Sequence, residues 1–293
     1  MTGEAGEAAP EPLGGTLYVV ATPIGNLGDV TLRALEVLRT VPLVAAEDTR
    51  LTRRLLDRYE IELAMTSYHA RSGPGRLQGL LEHLRGGQDL ALVSDAGTPA
   101  VSDPGGDLVT AWAAEGGRVV PIPGASAVLA AVVASGVVGP RWSFEGFLPR
   151  SGRERKERLA RIAADERATI LFEGPGRVGA TLSDLAVAAG ADRPAAVCRE
   201  LTKIHESVVR GALGELAEAV AVGRIPARGE FVLVVGQATE ARAPVDATTA
   251  ALETARAEVE RLVASGTARG DAARRVADAT GINRRSLYVP PRD

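Results

Sequence analysis

The stretch that decides the fold is Asp89–Gly106, DLALVSDAGTPAVSDPGG, in which a short apolar run leads into a loop of aspartates, prolines and glycines. The run from Asp89 to Ser94 is typical of a buried strand, and a helix is expected from Asp107 to Glu115. The same order of strand, polar loop and helix recurs after the runs Thr16 to Ala21, Val41 to Ala46 and Arg118 to Ile122. This alternation predicts an α/β domain with a mainly parallel sheet, whose ligands bind at the carboxyl ends of the strands.

The chain after Gly139 is predicted to form a second α/β domain with an antiparallel or mixed sheet. Its strands are expected at Thr169–Phe172, Ala195–Arg199 and Phe231–Val235, with helices beginning near Arg177 and Leu213. Near the end, two short amphipathic helices flank Thr280-Gly281, which is the spacing of a helix-turn-helix. We therefore expect a disordered N-terminus at 1–14, α/β domains at 15–138 and 139–238, a linker at 239–247, and a small helical, helix-turn-helix-like module at 248–293.

Composition narrows the class of protein. The chain has 293 residues and a net charge of −3, so nucleic acid would have to bind through local basic patches. A single cysteine excludes both an internal disulfide framework and a cysteine-based zinc site, and the three histidines lack metal-ligand spacing, so no metal is expected. No apolar stretch is long and uncharged enough to span a bilayer, and the N-terminus lacks the pattern of a signal peptide. Both observations favour a cytoplasmic location.

The loop after the strand at Asp89–Ser94 is the first candidate ligand site. It combines stiff prolines and exposed backbone groups with two carboxylates, of which Asp95 is favoured for ligand binding. Asp103 is at least as well explained as a helix cap. Pro123-Gly124-Ala125-Ser126 begins a helix of small residues, which suits ligand approach to the helix N-terminus, tight packing, or both. The turn that contains Gly25 and Gly28 is, taken alone, only a turn.

Charged residues at other strand ends are candidates for handling a hydroxyl group. They are Glu47, Asp48 and Arg50 in one cluster and Glu200 and Lys203 in another, although most such clusters are merely solvated. Two basic segments could contact phosphates, and they favour a nucleic-acid partner modestly. Their candidate residues are Arg150, Arg153, Arg155 and Lys156 in the first and Arg274, Arg275, Arg284 and Arg285 in the second.

Seven segments occur together in one order: LYVVATPIGNLGDVTLRALEVL, AAEDTR, ALVSDAGTPAVSDPG, PIPGASA, FEGFLPR, RELTKIHE and GEFVLVV. In combination they resemble the ribosomal RNA small subunit methyltransferase I family of the tetrapyrrole-methylase superfamily. The resemblance runs from about Gly15 to Gly236 and includes the terminal helical module. It implies two α/β domains with S-adenosylmethionine in the cleft between them, a homodimer, and 2′-O-methylation of a cytidine ribose in 16S ribosomal RNA near the decoding centre of the small subunit.

The resemblance also implies where the cofactor binds. The expected positions are Pro23, Ser94, Asp95, Ala96, Gly97, Thr98, Val101, Ser126 and Ala127 in the first domain, and Phe172, Leu201, Gly229, Glu230 and Phe231 in the second. Two departures from the family affect the expected RNA contacts. Phe172-Glu173-Gly174-Pro175-Gly176-Arg177 replaces the usual Tyr-Glu-Ser-Pro-His-Arg, and His69-Ala70-Arg71-Ser72 replaces His-Glu-His-Asn.

Methyl transfer to a ribose hydroxyl needs alignment together with a base or an oxyanion-stabilising cation. Lys203 could be the base only if burial lowered its pKa. Two other functions stay open at this point. A small-molecule methyltransferase acting on a tetrapyrrole would share the same cleft, and a nucleic-acid-binding regulator would use the helix-turn-helix without needing the cofactor.

Overall fold

The computed structural model describes residues 14–238, 249–280, 282 and 284–287, without the side chains of residues 249, 250, 251, 253, 278 and 285. The expected N-terminal segment before Gly14 and the expected linker at 239–247 lie outside these residues. The chain divides into two compact units between Gln237 and Ala238, and the first unit contains both sheets. The proposed boundary at 138/139 therefore separates two sheets of one unit and stays a prediction.

The first half of the larger unit alternates strands and helices, as predicted. Its elements are β1 (Thr16–Val20), α1 (Leu32–Thr40), β2 (Leu43–Ala46), α2 (Thr49–Arg58), β3 (Ala64–Ser67), α3 (Pro74–Arg85), β4 (Leu90–Val93), α4 (Gly106–Ala114), β5 (Arg118–Ile122) and α5 (Ala127–Ser135). The sheet has the order β3-β2-β4-β1-β5, and every pair in it is parallel. The predicted parallel α/β architecture is thus confirmed, and the carboxyl ends of all five strands meet at one edge.

The second half forms the predicted mixed sheet. Its elements are β6 (Trp142–Phe147), α6 (Gly152–Ala164), β7 (Ala168–Glu173), α7 (Val178–Ala189), β8 (Pro194–Arg199), β9 (Ser207–Ala212), α8 (Leu213–Ala221) and β10 (Phe231–Val235). The sheet order is β6-β7-β10-β8-β9. β6 and β7 are parallel, whereas β10 and β9 pair antiparallel with their neighbours.

Helix α5 joins the two sheets through a shared apolar core. Val128 and Ala131 of this helix pack with Ile24 from the loop after β1 and with Ile170 and Val232 of the second sheet. The small residues that the sequence places in this helix permit the close approach. Ser126 also caps the helix, because its Oγ accepts a 3.4 Å hydrogen bond from the N–H of Leu129. The two roles that the sequence left open for this helix, tight packing and an N-terminus that a ligand can approach, therefore occur together.

The smaller unit is helical. Its described helices are α9 (Thr249–Ala264), α10 (Arg269–Thr280) and α11 (Arg284–Leu287), which pack around Val259, Ala272, Val276 and Leu287. Helices α10 and α11 follow the predicted helix-turn-helix spacing, while Gly281 of the turn lies outside the described residues. Among the helices that the structure describes, none is long and apolar enough to cross a bilayer.

Candidate functional site

A cleft of about 290 Å³ lies between the two sheets, near the lower end of the size range of small-molecule sites. Its walls come from the loops after β1 and β4, the start of α5, the ends of β7 and β8, and the start of β10. The predicted cofactor residues that line it are Ala96, Gly97, Thr98, Val101, Ser126, Ala127, Phe172, Leu201, Gly229, Glu230 and Phe231. Phe172 also packs its ring against Phe144 and Phe147, which gives one wall an aromatic surface.

Three predicted cofactor positions do not line this cleft. Ser94 and Pro23 are buried, and Asp95 is exposed in an adjoining groove. The reason lies in a short bridge between two loops, in which Thr22 and Gly97 exchange backbone hydrogen bonds of 2.9 and 3.0 Å. This bridge brings Ile24, rather than Pro23, to the cleft wall.

The loop after β4 holds an unusual backbone conformation. Gly97, Ala100, Ser102 and Gly105 all have positive φ, with values of 80°, 68°, 65° and 112°. For Ala100 and Ser102 this left-handed geometry costs about 1–2 kcal/mol each. Such strain persists only where neighbouring contacts fix it, and it concentrates at ligand sites. Residues of this strained loop, including Gly97, Thr98 and Val101, line the cleft.

Asp103 is the cleft residue whose role the sequence left open, and the structure does not support a helix cap. The N-cap of α4 is Gly105, with no side-chain cap hydrogen bond, whereas Asp103 lines the cleft. The pKa of Asp103 is raised to about 6, chiefly by burial and also by the charges of Glu47 and Asp95, while the Ser94 hydroxyl acts to lower it. Asp103 therefore connects the cleft electrostatically with the groove that holds the other two acids.

That adjoining groove has a volume of about 440 Å³ and contains Glu47, Asp48, Arg50 and Asp95. The N–H of Asp95 donates a 3.2 Å hydrogen bond to Oε2 of Glu47. Burial raises the pKa of Glu47 more than this hydrogen bond lowers it. A carboxylate with a raised pKa is a better proton acceptor at neutral pH than an ordinary one. Glu47 is therefore the candidate base that the geometry favours.

Asp48 and Arg50 instead form the start of α2. Asp48 is the N-cap residue, accepting a 2.9 Å hydrogen bond from the N–H of Arg50 and pairing with the guanidinium of the same residue at 2.6 Å. These hydrogen bonds lower the pKa of Asp48 to about 2. A carboxylate this acidic is a poor proton acceptor, so the prediction that Asp48 acts as a base is not supported.

Lys203 and Glu200 form a clamp with Glu230, and of these three residues only Glu230 lines the cleft. Nζ of Lys203 donates 2.9 Å hydrogen bonds to Oε1 of Glu200 and to Oε2 of Glu230. Burial lowers the pKa of Lys203, but the two carboxylates outweigh burial and raise it. The condition for a lysine base is therefore not met. Glu200 is held in turn by the N–H of Glu230 at 3.0 Å, and its pKa is lowered chiefly by Lys203. Both residues position the loops that shape the cleft.

Glu173 is a cleft residue that sequence reasoning missed. Its side chain is fully buried at the end of β7, where it pairs with Arg177 at 2.6 Å and accepts a 2.7 Å hydrogen bond from the Thr181 hydroxyl. Glu173 belongs to the Phe-Glu-Gly-Pro-Gly-Arg segment, where only Gly174 and Gly176 depart from the family, and nothing in the local sequence signals a buried glutamate. A Cβ atom at either glycine would meet no atom within 4 Å, so these departures open space.

The predicted RNA-binding residues differ in availability. Arg155 is wrong for that role because it is 9% exposed and donates to Asp184, to the Thr181 hydroxyl and to the carbonyl of Pro149. Arg153 is paired with Glu157 and Arg274 with Asp271. Arg150, Lys156, Arg275 and Arg284 are exposed and form no ion pair with another described side chain, while the side chain of Arg285 lies outside the described part.

Comparison with known proteins agrees with this geometry. The profile of the Tetrapyrrole (Corrin/Porphyrin) Methylases matches residues 16–217. The chain is 48% identical to "Ribosomal RNA small subunit methyltransferase I" of Synechocystis over 94% of this chain and 96% of that protein. It is 40% identical to the Bacillus subtilis protein of the same name over 94% and 93% of the two chains.

Solved structures share the fold. Cobalt precorrin-4 methyltransferase superposes with a TM-score of 0.58 and 19% identity, covering 75% of this chain and 94% of the other. Uroporphyrin-III C-methyltransferase from Thermus thermophilus, complexed with S-adenyl homocysteine, superposes with a TM-score of 0.56 and 21% identity, covering 78% and 100%. These likenesses establish the two-sheet architecture of the tetrapyrrole methylases.

Proposed function

Because the chain belongs to the ribosomal RNA small subunit methyltransferase I family, we propose that it transfers a methyl group from S-adenosylmethionine to RNA of the small ribosomal subunit. The observation that carries the proposal is 40–48% identity to relatives of that name over most of both chains. The finer proposal is that the acceptor is the 2′-oxygen of a cytidine ribose in 16S RNA, near the decoding centre.

The cleft fits S-adenosylmethionine in size and chemistry. Aromatic and aliphatic walls, represented by Phe172, Ile24 and Val101, suit an adenine ring, and backbone groups of the strained loop suit its polar edge. The carboxylate of Asp103 suits the positive charge of the molecule. When bound there, S-adenosylmethionine supplies an electrophilic methyl carbon attached to a positively charged sulfur.

The chain contributes a proton acceptor and an electrostatic bridge. We propose that Glu47 accepts the proton of the ribose hydroxyl, because it lies in the groove beside the cleft and burial raises its pKa. Asp103 lies where the cleft adjoins the groove, and the negative charge of Glu47 raises the pKa of Asp103. The Lys203–Glu200–Glu230 clamp keeps the loop at Gly229 in place against the cleft.

The decisive experiment is methyl transfer from labelled S-adenosylmethionine to small ribosomal subunits lacking the modification, with nuclease digestion and mass spectrometry to locate the label. A 2′-O-methylcytidine in 16S RNA is the expected product. Glu47→Gln should lower kcat while leaving cofactor affinity unchanged, and Glu62→Gln, at an exposed residue, is the control. Absence of label from RNA, with cofactor binding intact, would contradict the proposal and favour a small-molecule acceptor.

We further propose that the enzyme works as a homodimer. Leu129 and Val133 lie four residues apart on α5, and their side chains are 56% and 81% exposed. Two large apolar side chains exposed on one helix face favour burial against a second subunit. The smaller unit is proposed to assist RNA binding through Arg275 and Arg284.

A further inference from the structure

The exposed face of α2 carries three arginines that the function assigned so far does not use. Arg53, Arg54 and Arg58 all face solvent on this helix. Because each residue of an α-helix is rotated by about 100° from the one before, the three side chains lie on one side of the helix. We propose that this α2 arginine face binds phosphates of the RNA strand whose ribose enters the groove at Glu47, an inference that rests on the proposed function.

The first step of the argument is that these charges are not neutralised within the protein. None of the three forms an ion pair with a residue that the structure describes, although Asp57 lies on the same helix. Arg58 only rests over the ring of Tyr59, 5.5 Å from its centroid. In contrast, the arginines of the other basic segments are largely paired with carboxylates: Arg153, Arg155, Arg158, Arg269 and Arg274. Free cations on one face are what a polyanion requires.

The second step is position. Helix α2 begins in the wall of the groove, where Thr49 and Arg50 contribute lining atoms. Arg53 and Arg54 occupy the next turn, about 5–6 Å further along the helix axis. A strand that places a ribose in the groove would therefore pass this face with its neighbouring phosphates.

The third step is the continuation of the groove along the sheet edge. Ser67 and His69 line both the groove and a second depression, which also contains Thr66, Arg76 and His83. Both depressions lie beside β3, the edge strand of the first sheet. Arg71, on the rim of the groove, is exposed as well. The surface thus extends beyond one nucleotide, which suits a strand rather than a small acceptor.

The charge of the whole protein makes the location of this face informative. With a net charge of −3, the chain as a whole repels a polyanion, so RNA must find a local positive surface. Each phosphate contact with single-stranded nucleic acid contributes a slope of about −0.7 in a plot of log affinity against log salt concentration. Removing two contacts should therefore weaken binding about 10-fold near physiological salt.

The test uses the full-length enzyme with small ribosomal subunits lacking the modification. Arg53→Gln/Arg54→Gln should raise KM for the subunits about 10-fold and make the salt slope shallower by about 1.4. Affinity for S-adenosylmethionine should stay unchanged. The control is Arg39→Gln/Arg118→Gln, which removes two exposed arginines outside α2, near the end of α1 and at the start of β5, and should leave KM and the salt slope unchanged.

The outcomes separate the inference from the function on which it rests. If the wild-type enzyme methylates the subunits but the Arg53/Arg54 variant keeps the wild-type KM and salt slope, the α2 arginine face is not the docking surface. Equal losses in the test and control variants would likewise overturn it, because the effect would then follow total charge. If the wild-type enzyme binds cofactor but labels no RNA, the proposed function fails first.

Discussion

The side chain of Lys203 lies directly against the backbone of Gly25, so that a Cβ atom added to Gly25 would be 2.4 Å from Cγ and 2.8 Å from Cε of the lysine. Lys203 cannot move aside freely, because Glu200 and Glu230 hold its ammonium group. The contact joins the loop after β1 to the loop after β8. It explains why a glycine stands at Gly25, where the sequence alone indicated only a turn.

Gly25→Ala should therefore destabilise the enzyme by about 1–3 kcal/mol, as overpacking does, and weaken cofactor binding. The measurements are thermal unfolding and calorimetric titration with S-adenosylmethionine. Gly73→Ala is the matched control, because a Cβ atom there meets nothing within 4 Å. Equal behaviour of the two variants would show that Lys203 yields easily and that the clamp does not shape the cleft.

Asp103 should make cofactor binding depend on pH. Its pKa is raised to about 6, chiefly by burial, so the carboxylate forms as pH rises through that value and then attracts the positively charged ligand. Affinity for S-adenosylmethionine should increase between pH 5 and pH 7 in the wild type and lose this rise in Asp103→Asn. Asp57→Asn, at an exposed position, should keep the wild-type profile.

The same pKa shift has a consequence for stability. The folded protein holds the Asp103 proton up to about pH 6, whereas the unfolded chain releases it near the ordinary aspartate pKa of 3.8. The contribution of this group to the free energy of unfolding therefore falls as pH rises from about 4 to about 6. Asp103→Asn should gain stability relative to the wild type across that window, as measured by the unfolding temperature at each pH. A constant difference would contradict the assignment.

Arg155 should matter for stability and not for RNA. Its guanidinium donates to Asp184 at 2.7 Å and to the Thr181 hydroxyl at 3.0 Å, and it is 9% exposed. Arg155→Ala should lower the free energy of unfolding by about 1.5–3 kcal/mol, because charged hydrogen bonds are lost. Arg153→Ala, on the exposed side of the same helix, should change it by less than about 0.5 kcal/mol. Chemical denaturation of both variants checks the contrast.

Helix α5 should control the oligomeric state. Val133→Glu places a charge on the exposed apolar face of α5, and it should convert a dimer to a monomer in light scattering. Val187→Glu, on α7, is the matched control, because Val187 is 89% exposed and lies on another helix. If both variants stay dimeric, the α5 face is not the interface.

The sequence predicted the buried strands, because they are short apolar runs, but not the order of the strands in either sheet. The strands β3, β6 and β9 were missed, since most of their residues are partly or fully exposed. The cofactor cleft was predicted mostly through the family resemblance. Asp95 and Asp103 were the exception: local sequence cannot tell which of two carboxylates in one loop lines the cleft, and in the fold Asp103 lines it while Asp95 lies in the adjoining groove.

The basic patches show a second limit of sequence reasoning. The segment from Arg150 to Arg161 is strongly basic in the sequence. In the folded protein, carboxylates from outside this segment, including Asp184 and Glu145, neutralise some of its arginines. Arg53 and Arg54 belong to an unremarkable helix and remain unpaired among the described residues. Surface charge is thus a property of the fold, which composition along the chain does not reveal.

The core that α5 shares with the second sheet also determines how the cleft can move. Val128 of that core is at the same time part of the cleft lining, as is Leu201. Opening the two sheets like a hinge would expose these side chains to water, at a cost of about 25 cal/mol for each Å² of apolar surface. We therefore expect ligands to enter and leave the cleft through movement of the surface loops. For the same reason, residues 14–237 should unfold in a single cooperative transition.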